Sequence, residues 1–148
     1  MKLIRNNIEK QRQVFFCGDR YRKVWGDSKP QEWILSHVTL LDKMMPGYVL
    51  DHGDHWIEYS VLPGIQVSEL PHTTHLVKKI YKFCLANIQE TYPFAHGDWA
   101  LSNMLMDGDT IRMCDWDNLD QYPLAKIMQK MHSDLTSSFG TLFLQLIK

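Results

Sequence analysis

His96-Gly97-Asp98 is followed by Asn103 five residues after the aspartate, and Asp115-Trp116-Asp117 opens twelve residues after the asparagine. A carboxylate, an amide oxygen and two further carboxylates, in that order, are the side chains that phosphoryl transfer uses. A carboxylate accepts or orients the proton of an attacking hydroxyl. Hard oxygen donors hold Mg2+ against nucleotide phosphates. Asp98 is the candidate base, Asn103 and Asp115 are candidate metal ligands, and Asp117 is a candidate for a water-bridged contact with the same ion. The same stretch admits a second chemistry. His96, Asp98, Asp115 and Asp117 would suit a metal-dependent phosphohydrolase, provided that His96 ligates the ion.

The elements around these residues must position them. Asp107-Gly108-Asp109, between Asn103–Met106 and Thr110–Cys114, predicts a hairpin that carries Asn103 and delivers Asp115. Upstream, Leu76, Ile80, Cys84 and Ile88 form one stripe of a helix over 74–90, with Thr74 as its cap and Pro93 beyond its end. Downstream, Leu124, Ile127, Met131 and Leu135 recur at helical spacing, and Asp134 suits the N-cap of a final helix. Residues 139–147 are apolar but too short to assign. In the first half, strands over 13–17 and 20–25 flank Gly18-Asp19, with Tyr21, Lys23 and Trp25 on one face. Ser28, Pro30 and Gln31 predict a capping box. The helix it opens buries Ile34, Val38, Leu41 and Met45 and ends at Pro46-Gly47. Strands over 48–51 and 55–62 then flank Gly53-Asp54. The expected class is α+β: a β-rich unit over 1–64 with one helix, then a mainly helical unit over 65–148.

Composition narrows the function classes. With 45% hydrophobic and 22% charged residues among 148, the chain has the profile of an ordinary globular protein. Its formal net charge of −1 favours neither nucleic acid nor an anionic membrane as partner. No apolar run approaches the roughly 20 residues of a spanning helix. The polar interruptions after Met1 argue against a signal peptide. Cys17, Cys84 and Cys114 contain no C-x-x-C pair, which predicts reduced thiols and a cytoplasmic location. His52/His55 and His72/His75 read as a turn and a helix entry rather than as metal pairs.

The H-G-D-x-x-x-x-N run with its following D-x-D resembles the catalytic loop and metal motif of the aminoglycoside phosphotransferase and choline kinase group, in the protein-kinase-like superfamily. That group writes the second motif D-x-[DE]. The resemblance covers about residues 12–146 and is sharp over 96–117. It implies a protein-kinase-like fold, with a small antiparallel β-lobe and a reduced helical C-terminal lobe. It implies ATP or another nucleoside triphosphate, Mg2+, and a hydroxyl acceptor, most simply a small molecule. Asp115 becomes a surer ligand than Asp117, and His96 holds the loop in shape. Lys23 resembles the phosphate-contacting lysine, and Glu32 its ion-pair partner. Trp56–Gly64 resembles the hinge strand, with the backbone of Ser60, Val61 and Leu62 at the adenine edge. Asp134 resembles the aspartate that opens a core helix and braces the catalytic loop.

Two departures stand against it. No G-x-G-x-x-G lies between the first strands, where Asn7-Ile8-Glu9-Lys10-Gln11-Arg12 stands instead. The region after Asp117 is short for the group, so a partner chain or homodimer completes it, or the acceptor binds an open surface, or transfer is lost. In the last case the protein is a non-catalytic, pseudokinase-type nucleotide-binding scaffold.

Overall fold

A computed structural model describes residues 2–7 and 12–148. The Ile8–Gln11 stretch singled out above for its missing glycines lies outside the described residues. The chain divides into two compact units, Met1–Val61 and Leu62–Lys148; the sequence alone sets this boundary after Gly64. The architecture is α+β, with antiparallel sheets.

The first unit holds β1 (Lys2–Asn7), β2 (Arg12–Cys17), β3 (Arg20–Val24), α1 (Gln31–Met44), β4 (Val49–His52) and β5 (Trp56–Ser60). The strands form one antiparallel sheet in the order β1-β2-β3-β5-β4. Strand alternation sorts the β3 side chains as the sequence predicts. Tyr21 and Lys23 sit opposite Tyr59 and Ile57; the two tyrosine rings stack at 5.2 Å. Arg22, opposite Glu58, belongs to the other face. α1 packs on β4 and β5, burying Ile34, His37, Val38 and Leu41. The predicted capping box does not form. Ser28 lies in a 3-10 turn at Gly26–Ser28, where its hydroxyl donates to Trp25 O at 2.6 Å. Extended Pro30 therefore takes the N-cap position without a side-chain cap, and the Gln31 amide reaches Asp54 instead.

The second unit holds β6 (Ile65–Gln66), α2 (Thr74–Thr91), β7 (Phe94–Ala95), β8 (Met104–Asp107), β9 (Thr110–Met113), β10 (Asp120–Gln121), α3 (Leu124–Phe139) and α4 (Thr141–Leu146). Helices α2, α3 and α4 pack against one another around fully buried Ile80, Cys84, Met131, Leu135 and Phe143. Burial among apolar side chains pushes the Cys84 thiol far up. The strands make a β6-β8-β9 sheet and a β10-β7 pair.

Two sequence expectations change here. Thr73, not Thr74, caps α2: its backbone is extended and its Oγ1 accepts from Leu76 N–H at 3.1 Å. Asp134 neither opens nor caps a helix, because α3 runs unbroken from Leu124 to Phe139. The last apolar segment is the short α4, set off by Gly140 at φ 57°. No helix among the described residues is long and apolar enough to cross a membrane.

Candidate functional site

Two loops of the second unit carry the sequence-singled residues, and each is clamped at both ends. At one end β8 and β9 pair Met104 with Met113 and Asp107 with Thr110. A Gly108-Asp109 connection closes this hairpin, with Gly108 at φ 60°. The ladder continues past the strands, since Cys114 N–H donates to Asn103 O at 2.8 Å. The twelve-residue interval between Asn103 and Asp115 is thus the length of one tight hairpin, whose ladder sets Asn103 opposite Cys114 and Asp115 one residue beyond. At the other end β7 pairs Ala95 with Asp120. This second clamp is missing from the sequence reading, because a two-residue strand has no period to detect.

Between the clamps His96 ties the loops together. It is fully buried. Nε2 lies 2.8 Å from Cys114 O, and Nδ1 accepts from Asp98 N–H at 3.2 Å. A carbonyl only accepts, so Nε2 carries the proton and the ring is the neutral Nε2–H tautomer. Burial holds the imidazole pKa below its ordinary value. Its Cys114 bond and the charges of Asp115, Asp98 and Asp117 oppose that shift without reversing it. The three carboxylates thus act on one imidazole. Trp116 closes the cage, its ring edge-on to His96 at 4.7 Å and its indole N–H donating to Met113 O at 3.0 Å.

Gly97 has φ 88°, and a Cβ there would stand 2.6 Å from Asn118 O. Glycine is required on both counts, by conformation and by close approach. Asp98 follows, half-buried, with Oδ1 accepting from Ala100 N–H at 3.2 Å. Asp134 reaches the loop from the middle of α3: Oδ2 accepts from Trp99 N–H at 2.9 Å, and Oδ1 from Lys130 Nζ at 2.7 Å. A bond from one aspartate to the loop backbone is the contact expected of a brace, made from within a helix rather than from its start. Asn103 ends a 3-10 turn at Leu101–Asn103 and is buried.

Asp115 has φ 58°, the one left-handed non-glycine residue among those described. That conformation costs about 1–2 kcal/mol for a residue with a Cβ. Among the described residues no three His, Cys, Asp or Glu side chains are grouped to cage a metal ion. The donor set here is of another kind, an amide oxygen and carboxylates from two adjoining loops. Mg2+ is typically held by one or two carboxylates, with phosphates and water completing the octahedron, so Asn103, Asp115 and Asp117 fit that ion chemically.

The remaining candidates belong to the first unit, apart from Leu62, which begins the second. Lys23 is buried, with Nζ 5.7 Å from the Tyr59 ring centroid. Glu32 is exposed in the first turn of α1. Ser60 ends β5 and Val61 is exposed, its N–H donating to Asp19 O at 3.4 Å. The buried carboxylate of this sheet is Glu58, bonded by Arg22 at 2.7 Å and Arg20 at 3.2 Å. Sequence reasoning passed over Glu58, although its alternation with Ile57 and Tyr59 marks the opposite face. It also passed over Lys130, whose i,i+4 spacing from Asp134 was a usable signal.

No protein-family model matches this chain, and no curated protein matches it in sequence.

Proposed function

We propose that this chain is a kinase-like phosphotransferase, moving the γ-phosphate of ATP or another nucleoside triphosphate to a hydroxyl acceptor with Mg2+. The observation that carries the reading is the double clamp around His96. It brings a base candidate, an amide oxygen and two carboxylates onto adjoining loops, in the order phosphoryl transfer requires. Asp98 accepts or orients the acceptor proton. Asn103 and Asp115, with Asp117 beside them, hold the ion. Bound Mg2+ supplies positive charge against the phosphates. Lys23 is assigned to the phosphates and the backbone of Ser60, Val61 and Leu62 to the base. The antiparallel sheet with one helix, followed by a mainly helical unit carrying the loop, is the order of a protein-kinase-like fold and supports that assignment.

His96 also bears on the competing hydrolase. Both ring nitrogens already serve backbone groups and the ring is fully buried, which leaves no lone pair for a metal.

The test is calorimetric titration of ATP with and without Mg2+. Wild type binds in a magnesium-dependent way, Asp98→Asn binds nearly as well, and Asp115→Asn loses most of the magnesium dependence. An unchanged affinity in Asp115→Asn removes that residue as ligand. Magnesium-independent binding points to a non-catalytic scaffold, and absence of binding refutes the proposal.

A further inference from the structure

Beside the 96–103 loop, wholly within the second unit, lies a pocket of about 130 Å3. Ala95, Trp99, Tyr122, Lys126, Ile127 and Lys130 line it, and the lining surface is almost wholly apolar. The apolar lining is anchored in the core, since Ala95, Trp99 and Ile127 are each almost completely buried. A cavity of about 150 Å3 takes a single aromatic ring, so the space suits one ring or an equally short chain.

Two lysines and no acidic residue are among the lining residues, while the carboxylates of Asp134, Asp98 and Asp120 act on Lys130 and Tyr122 from beside it. Lys130 is held by Asp134 at 2.7 Å, and the Asp98 charge also acts on it. The Lys130 charge is therefore partly balanced within the protein. Lys126 lies 5.6 Å from the Tyr122 ring centroid and joins no ion pair among the described residues. A ligand with an amino group would bring a third ammonium to this pair, whereas an anion would answer Lys126. The pocket also adjoins the candidate base: Gly97 and Trp99, the chain neighbours of Asp98, both line it.

We propose that this pocket receives the acceptor of the phosphotransfer reading, on which the word acceptor rests, and that the acceptor is an anionic alcohol. Its hydroxyl meets Asp98, its flat apolar body fills the apolar lining, and its carboxylate or phosphate pairs with Lys126. The acceptor hydroxyl oxygen bonds to the γ-phosphorus as the bond from that phosphorus to the leaving oxygen breaks. The hydroxyl proton goes to Asp98, and the nucleoside diphosphate departs with the electron pair.

The experiment is NMR titration of the whole chain with four probes of matched shape, following the Trp99 backbone and indole signals. The probes are 4-(hydroxymethyl)benzoate, 4-(hydroxymethyl)phenyl phosphate, the neutral 4-(hydroxymethyl)benzamide and the cationic 4-(aminomethyl)benzyl alcohol. Expected is binding of one or both anions about two- to fivefold tighter than the amide, the worth of one solvent-exposed ion pair, and no preference for the cation. Which anion binds tighter distinguishes carboxylate from phosphate. Lys126→Gln, an exposed change outside the catalytic loop, should erase the preference and leave magnesium–ATP affinity unchanged. Equal or tighter binding of the amide or the cation overturns the proposal. So does an anion preference that survives Lys126→Gln, or the absence of any shift at Trp99. If the anions are preferred but magnesium–ATP does not bind, the anion site stands and the phosphotransfer reading falls. If magnesium–ATP binds without an anion preference, the reverse holds.

Discussion

Asp134→Ala removes a side chain that reaches from α3 to the backbone of the 96–103 loop, and its cost can be worked from the contacts. Trp99 N–H donates to the carboxylate at 2.9 Å from a residue only 1% exposed. Water cannot easily replace that acceptor, and losing a charged partner costs about 1.5–3 kcal/mol. The second contact, to Lys130 at 2.7 Å, adds little, because the lysine side chain is 51% exposed. After solvent screening such a pair contributes at most about 0.5 kcal/mol. Alanine returns roughly 0.5 kcal/mol through its better helix propensity in the interior of α3. The net loss is about 2 kcal/mol.

Asp134→Asn keeps an oxygen acceptor for Trp99 N–H and loses only the charge, so about 1 kcal/mol is expected. The assay is amide hydrogen exchange at Trp99 with urea unfolding of the same proteins. Protection at Trp99 should fall about thirtyfold in Asp134→Ala, at tenfold per 1.4 kcal/mol, and markedly less in Asp134→Asn. Wild-type protection in Asp134→Ala, or equal losses in the two variants, would refute the brace.

Two further outcomes follow from the same loops. The His96 pKa is lowered in the folded protein, so below the ordinary value near 6.5 the unfolded chain binds a proton that the folded one refuses. Stability is then complete above about pH 6.5 and falls on acidification by up to about 1.4 kcal/mol per pH unit, until the folded-state pKa is reached. Urea unfolding of wild type against His96→Gln between pH 7.5 and 5.5 isolates this contribution, and parallel pH profiles would exclude it. At Asp115, φ 58° predicts that Asp115→Gly is more stable than Asp115→Ala by about 1 kcal/mol, since both lose the carboxylate and only alanine keeps a Cβ in the left-handed region. Equal urea midpoints for that pair would remove backbone strain from the account of the site.

Local chemistry marked the helices and hairpins of this protein where the signal was long or strong. The stripe Leu76, Ile80, Cys84, Ile88 located α2 within a residue or two, and Gly108 located the β8–β9 turn. Caps were less legible. Ser28 and Thr74 each have the right type, but a cap depends on which residue adopts the extended backbone, and a neighbouring turn took Ser28 while Thr73 took the role at α2. Asp134 shows the same ambiguity, since an aspartate near helical residues caps or braces according to what faces it.

The order Asp98, Asn103, Asp115, Asp117 was determined by the sequence alone, with the hairpin length that separates the two motifs. A tight turn between short strands leaves few other pairings, so that spacing already implied that Asn103 and Asp115 flank the open end of one hairpin. Only the tertiary structure decided the state of His96, because burial and the competing claims of Cys114 O and Asp98 N–H come from segments eighteen and two residues away. It also decided that Asp134 holds Trp99 across 35 residues, and that Lys126 and Lys130 share a pocket with Trp99. Such contacts are set by how helices and loops pack. The residues themselves carry no mark of the partners that packing assigns them.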